Sequence, residues 1–159
     1  MPPTLPKQLE VVWEIPLGRP GLGGIAATER LVVFGDRDLA DQRDVFTCVN
    51  AQWGLPLWTI DYLAPGNLDY GNTPRATPLI YDGRVYLFGA FGDLHCVNLE
   101  SGEVVWRMQL IQDFDAKRPS WGMCSTPLVV DEKLIVNPGA KHASLVALNR
   151  RTGKILWRQ

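Results

Sequence analysis

The side chains in this sequence that could do chemistry are few and scattered. His95 and His142 are its only histidines, and Cys48, Cys96 and Cys124 its only cysteines. A structural zinc site or a redox dithiol wants ligands in Cys-x-x-Cys or His-x3–5-His spacing, whereas these cysteines stand 48 and 28 residues apart. Neither histidine has a neighbouring arrangement that implies metal binding or acid–base work. His95 reads as a packed strand residue beside Cys96, and His142, in Pro138-Gly-Ala-Lys-His142, as a loop residue. Ser125 and Thr126 follow Cys124 with no nearby base to activate a nucleophile. The run Asp36-Arg-Asp-Leu-Ala-Asp-Gln-Arg-Asp44 could suggest a calcium loop, since hard cations gather several oxygens. Its spacing does not match an EF-hand, and Arg37 and Arg43 compete for the carboxylates, so the expectation is a solvated loop. No catalytic, cofactor-binding or metal-ligating set is expected.

The bulk properties remove further classes. With 46% hydrophobic residues in 159, the chain has enough apolar material for one domain. A net charge of -1 argues against nucleic acid and against an anionic membrane surface. No apolar run approaches the length of about 18 residues that a spanning helix needs. Met1 to Lys7 show no charged segment, apolar stretch and cleavage site of a secretory signal, so the expectation is a soluble chain with no leader. Three scattered cysteines make no disulfide framework, and Cys48 and Cys96 are expected as buried free thiols.

Stepping along the chain, tryptophan returns at Trp13, Trp58, Trp106 and Trp157, at intervals of 45, 48 and 51 residues. Three of the four end one eleven-residue unit: Cys48 to Trp58, Cys96 to Trp106 and Ala147 to Trp157. Asn50, Asn98 and Asn149 stand eight residues before the tryptophan, and Gly54, Gly102 and Gly153 four before it. Upstream lies a second repeat, Thr77-Pro-Leu-Ile-Tyr-Asp-Gly-Arg-Val-Tyr-Leu-Phe-Gly89 and Thr126-Pro-Leu-Val-Val-Asp-Glu-Lys-Leu-Ile-Val-Asn137, with a degenerate copy at Gly24 to Gly35.

Each upstream repeat is an apolar run, a two-residue polar turn and another apolar run, which is a hairpin signal, strongest at Asp82-Gly83. The tryptophan unit supplies a second hairpin around its glycine. Four short antiparallel strands per period of this length are the arithmetic of a β-propeller blade. The fold expected is therefore all-β: a propeller fragment with blades over 23–62, 76–110 and 125–158. Residues 9–17, centred on Trp13, are expected as a lone outer strand of a further blade. Thirteen strands and almost no helix follow.

The eleven-residue unit resembles the tryptophan-docking motif of pyrroloquinoline-quinone-like propellers, Ala-x-Asp-x-x-Thr-Gly-x-x-x-Trp, most closely at Ala147 to Trp157. The segments Thr73-Pro-Arg-Ala-Thr-Pro78 and Trp121-Gly-Met-Cys-Ser-Thr-Pro127 also look like blade entries of that family. The resemblance implies a parent ring of about eight blades and a periplasmic or secreted location. It implies that Trp13, Trp58, Trp106 and Trp157, with Gly54, Gly102 and Gly153, dock each blade on its neighbour, the indoles buried and their N–H groups bonded to backbone carbonyls. All three units carry Asn where the family usually has Asp, and Trp53 replaces the Ser or Thr of the turn.

Family members include quinone- and calcium-dependent dehydrogenases as well as a protein-binding lipoprotein of outer-membrane barrel assembly. The dehydrogenases are marked by adjacent cysteines and an acidic calcium site, which this chain does not match. The expectation is a non-catalytic scaffold or protein-interaction segment with no cofactor. The alternative is a piece of a quinone-dependent alcohol or sugar dehydrogenase whose quinone and calcium site lies in other blades. Partners are the remaining blades, a protein, or a second copy through open blade faces. The long connections between strands, rather than the tight turns, are expected to carry binding. They hold Tyr70, Arg75, Lys117, Arg118, Trp121, Lys141 and His142, while Glu100, Arg150 and Arg151 lie on the opposite face.

Overall fold

The computed structural model describes residue 8 and residues 10–159. Twelve strands form three four-stranded antiparallel sheets, each in sequence order. Blade one contains β1 (Ala26–Ala27), β2 (Leu31–Arg37), β3 (Arg43–Asn50) and β4 (Pro56–Leu63). Blade two contains β5 (Leu79–Tyr81), β6 (Arg84–Phe88), β7 (Asp93–Asn98) and β8 (Val104–Gln109), followed by one helical turn, α1 (Leu110–Asp113). Blade three contains β9 (Leu128–Val130), β10 (Lys133–Val136), β11 (Val146–Asn149) and β12 (Ile155–Arg158). The chain is a β-propeller fragment, as its repeats predict.

The turn chemistry accounts for the hairpins. Asp82 and Gly83 take φ values of 50° and 70°, the left-handed pair of a turn whose twist suits flanking strands. The side chains of Asn50, Asn98 and Asn149 each accept the backbone N–H groups two and three residues further on, closing the same turn in all three blades. The amide oxygen therefore serves where the family usually places a carboxylate. The ladder then slips at one point in every blade, between Cys48 and Val49, Cys96 and Val97, and Ala147 and Leu148. The unmatched residues opposite are Leu57, Val105 and Leu156, all exposed. Beyond the slip each tryptophan pairs with the first residue of its unit.

Trp13, Trp58 and Trp106 each reach the next blade. Trp13 Nε1 donates to Ala51 O at 2.8 Å, Trp58 Nε1 to Leu99 O at 2.9 Å and Trp106 Nε1 to Arg150 O at 3.2 Å. These three acceptors occupy the same position of the repeated unit. The ring of each lies on the following glycine: a Cβ at Gly54, Gly102 or Gly153 would come within 2.6–2.8 Å of Trp13, Trp58 or Trp106. Those glycines also have φ between 66° and 74°, so both conformation and space demand glycine.

Several expectations need correction. Leu9 lies outside the described residues, and residues 10–17 form no strand, since they make no ladder with any described sheet. Trp13 docks nonetheless. Twelve strands replace thirteen among the described residues. Trp157, whose indole the resemblance implies is buried and bonded, is 41% exposed and has no hydrogen-bond partner for its N–H among the described residues. Trp13, Trp58 and Trp106 are half-buried rather than enclosed. Leu110, placed at the end of blade two, instead starts α1, where the Gln109 side chain accepts from Ile111 N and Gln112 N.

Candidate functional site

In a repeat architecture each joint between blades is a control for the others. The joint between blades two and three is apolar, built on Tyr86, Phe88, Leu94, Leu110, Leu134 and Leu148. The joint between blades one and two begins the same way, with Val33, Phe46, Cys48, Val85 and Val97. Cys48 and Cys96 are buried free thiols in these joints, each pushed up to about 11 by burial. Towards the long connections the first joint turns polar, and this departure from its neighbour marks the candidate site.

The acidic run does not form a solvated loop. β2 and β3 extend into it, leaving only residues 38–42 as the connection. Arg37 and Asp44 are register partners of these strands, and their side chains are fully buried. Arg37 Nη1 donates to Asp44 Oδ1 at 2.6 Å, Nε to Asp41 at 2.7 Å and Nη2 to Ala64 O at 2.7 Å. Tyr62 donates its hydroxyl to Asp44 at 3.2 Å, and Asn72 donates to Asp41 at 3.0 Å. A buried guanidinium needs this many acceptors to offset lost hydration. Burial pushes Asp44 up to about 6 against the pull of Arg37, and it drives the Tyr62 phenol well above its ordinary range.

Beside this cluster a groove runs between β4 of blade one and β8 of blade two. Its central cleft, about 430 Å³, is lined by Tyr62, Asp93, His95, Arg107, Met108 and Asp113. The His95 ring stacks on Tyr62 with centroids 4.6 Å apart, so the expected packing role is visible. Its Nδ1 is buried without a hydrogen-bond partner among the described residues. Burial holds His95 down to about 4 and raises Asp93. The groove reaches the loop face at Phe91, whose ring has Arg37 on it at 5.1 Å and Arg118 at 4.9 Å. Among the described residues no three His, Cys, Asp or Glu side chains are grouped to hold a metal ion.

The loop-face residues divide into three groups. Asp69 N donates to Ser120 O at 2.9 Å, and the Ser120 hydroxyl bonds the Asp69 carboxylate. Tyr70 and Trp121, each one residue further on, are 85% and 54% exposed. Tyr70 has φ 69°, a conformation rare for a bulky residue. Arg75 instead props this loop from within, donating to Asp69 O and Gly71 O at 2.6 and 2.7 Å. Arg118 and Lys117 are exposed nearby in sequence. Lys141 and His142 sit apart, at the tip of a tight turn closed by Ala140 and Ala143.

On the opposite face, Arg150 is 4% exposed. Its guanidinium bonds Asp82 of blade two and Glu132 of its own blade, both at 2.8 Å. Arg151 joins the same two carboxylates, and Arg30 pairs with Glu100 across the first joint.

The comparisons with known proteins agree with this geometry. Residues 67–159, more than half of the chain, match the family model described as outer membrane protein assembly factor BamB. The chain belongs to that family of PQQ-like propellers. Relatives of known name fall into two kinds. The quinoprotein alcohol dehydrogenase PedH of Pseudomonas putida is 29% identical over 72% of this chain and 18% of its own length. The outer membrane protein assembly factor BamB of Salmonella typhimurium is 26% identical over 89% of this chain and 30% of its own. The chain thus spans less than a third of the length of these relatives. In solved structures the same fold recurs in BamB from Moraxella catarrhalis, with a TM-score of 0.60, 20% identity and coverage of 87% of this chain and 36% of that one. It recurs in quinohemoprotein alcohol dehydrogenase from Comamonas testosteroni, with a TM-score of 0.65, 18% identity and coverage of 89% and 21%. No helix is long and apolar enough to cross a membrane among the described residues.

The polar joint escaped sequence reasoning. Tyr62, Asp93, His95 and Gln109 come from three strands of two blades and share no local pattern. Their one available signal was the alternation of polar residues at 93, 95, 107 and 109 on one blade face, where the position matching His95 in blade three is the apolar Val146.

Proposed function

We propose that this chain is part of a propeller that binds another protein through its loop face. The observation that carries the reading is the pair Tyr70 and Trp121, two exposed aromatics flanking one backbone hydrogen bond between connections of neighbouring blades. Tyrosine, tryptophan and arginine dominate the energetic centres of protein interfaces, and rigid aromatics contribute area at little entropic cost. Tying residue 69 to residue 120 fixes the backbone that carries both rings before a partner arrives. Arg118, stacked on Phe91 and outside any ion pair among the described residues, adds a charge beside them. The similarity to an outer membrane protein assembly factor supports the same class, and supports a location at the outer membrane or in the periplasm.

The similarity to PedH favours a second reading, a segment of a quinone-dependent alcohol dehydrogenase. The described residues group no set of three His, Cys, Asp or Glu side chains that would hold a calcium ion, so on this reading the metal ligands come from other parts of the protein.

The test uses photo-crosslinking in cells, in the complete protein that contains this segment. A photoreactive residue at position 121 should capture one discrete protein, and the same residue at Gln52, on the opposite face, should not. Capture that survives Tyr70→Ala, or occurs equally from position 52, would remove the proposal. Alcohol oxidation by the complete protein, dependent on added quinone and calcium, would establish the second reading instead.

A further inference from the structure

Five non-glycine residues among those described have a left-handed backbone: Asp41, Asp82, Asp115, Asp131 and Tyr70. The four aspartates fit, since a short polar side chain tolerates that conformation. Tyr70 does not. A tyrosine at φ 69° costs free energy that asparagine or glycine would avoid. Its side chain is exposed, so packing does not select it either.

Such a conformation persists only where the surroundings over-determine it. Arg75 Nη2 donates to Asp69 O at 2.6 Å and to Gly71 O at 2.7 Å, so one guanidinium nitrogen gathers the carbonyls on both sides of Tyr70. Nη1 of the same group reaches Thr73 O at 3.4 Å. Arg75 is half-buried, and both of its terminal nitrogens bond the loop's own backbone. The rest of the loop is anchored on either side of Tyr70. Asp69 N donates to Ser120 O, and Leu68 N donates to the side chain of the buried Asn72. Asn72 is bonded in turn to Asp41, the partner of the fully buried Arg37, which ties the loop back to the first joint.

We propose that Arg75 is a positioning residue, holding Tyr70 in a strained backbone conformation so that its ring stands out as a preformed knob for a concave apolar pocket on the protein partner. Strain kept at an exposed aromatic, with no packing in return, points to recognition, because a ring fixed before contact loses less freedom on binding. That purpose rests on the loop-face reading above. The hold of Arg75 on Tyr70 does not.

The test has two arms. In the full chain, urea midpoints are compared for Tyr70→Asn, Arg75→Met and the double variant. Tyr70→Asn should raise the midpoint in the wild-type background and leave it unchanged in the Arg75→Met background, where the backbone has already relaxed. An arginine that merely stabilised the loop would give additive shifts instead. In the complete protein that contains this segment, capture from a photoreactive residue at position 121 should persist in Tyr70→Phe and fall in Arg75→Met. Arg75→Lys, which keeps the charge without the planar fork, repeats both arms if Arg75→Met does not fold. Additive midpoints would remove the hold of Arg75 on Tyr70. Capture unchanged in Arg75→Met, or lost in Tyr70→Phe, would remove the knob. No capture from position 121 in the wild type, beside non-additive midpoints, would reject the loop-face reading and with it the purpose of the strain, while keeping the hold.

Discussion

Asp44 of blade one and Gly89 of blade two meet so closely that a Cβ on Gly89 would lie 2.4 Å from the Asp44 carboxylate oxygen. It would lie equally close to the Tyr62 hydroxyl. The first joint is therefore held at both ends, by Trp58 on Gly102 beside the tight turns and by the Asp44–Tyr62 pair on Gly89 beside the long connections.

Gly89→Ala should accordingly destabilise the chain by about 1–3 kcal/mol, as overpacking does elsewhere. Asp44→Ala should cost more, about 3–5 kcal/mol, because it leaves the Arg37 guanidinium buried with its main partner gone. Replacing both, as Arg37→Met with Asp44→Leu, should recover most of that loss. Urea titrations of the three variants check it, and a double variant as unstable as Asp44→Ala would show that the ion pair is not what matters.

The four tryptophans should separate by context. Trp106→Ala removes a half-buried docked indole and its hydrogen bond, at about 3 kcal/mol, the low end of the range for enclosed aromatics. Trp157→Ala, in the same chain, should stay within about 1 kcal/mol, since that ring is 41% exposed and has no glycine turn to rest on. Thermal melts of the two variants measure the difference.

Repetition explains what could be read from the sequence and what could not. The tryptophan, asparagine and glycine positions are legible because each recurs at a fixed offset, and a recurring offset reports a recurring local geometry. Twelve of the thirteen expected strands follow from them, and the segment around Trp13 forms no strand among the described residues. Arg37 and Asp44 escape the sequence for a different reason. Their charges look solvated there, and only the strand pairing of 37 with 44 shows where their partners are. The groove was invisible because Asp93 and His95 acquire meaning only against Tyr62 of another blade.

Two titrations should act in opposite directions on stability. His95 is held down to about 4 by burial, below the ordinary histidine value of 6.5, so its contribution is intact above 6.5 and is lost as pH falls towards 4. Asp44 is pushed up to about 6, above the ordinary 3.8, so it favours the folded chain as pH falls from above 6 towards 3.8 and disfavours it at neutral pH. Between pH 7 and 4 the wild-type urea midpoint should change little on their account. His95→Phe should gain stability as pH falls through this window, and Asp44→Asn should lose it. The same pH slope in both variants would contradict the assignment.

The slipped pairing that recurs at Leu57, Val105 and Leu156 changes what the outer edge of each blade offers to other chains. The fourth strand of each blade has a neighbour on one side only, so its other side presents free backbone donors and acceptors, with apolar side chains close by. A straight edge of this kind invites strands of other chains to add to it. One extra residue near its start bends and twists each edge, so no long flat template is on offer. The rim of the arc thus carries its own protection against amyloid-like stacking, and a deletion that straightened Leu57, Val105 or Leu156 out of the ladder would remove it.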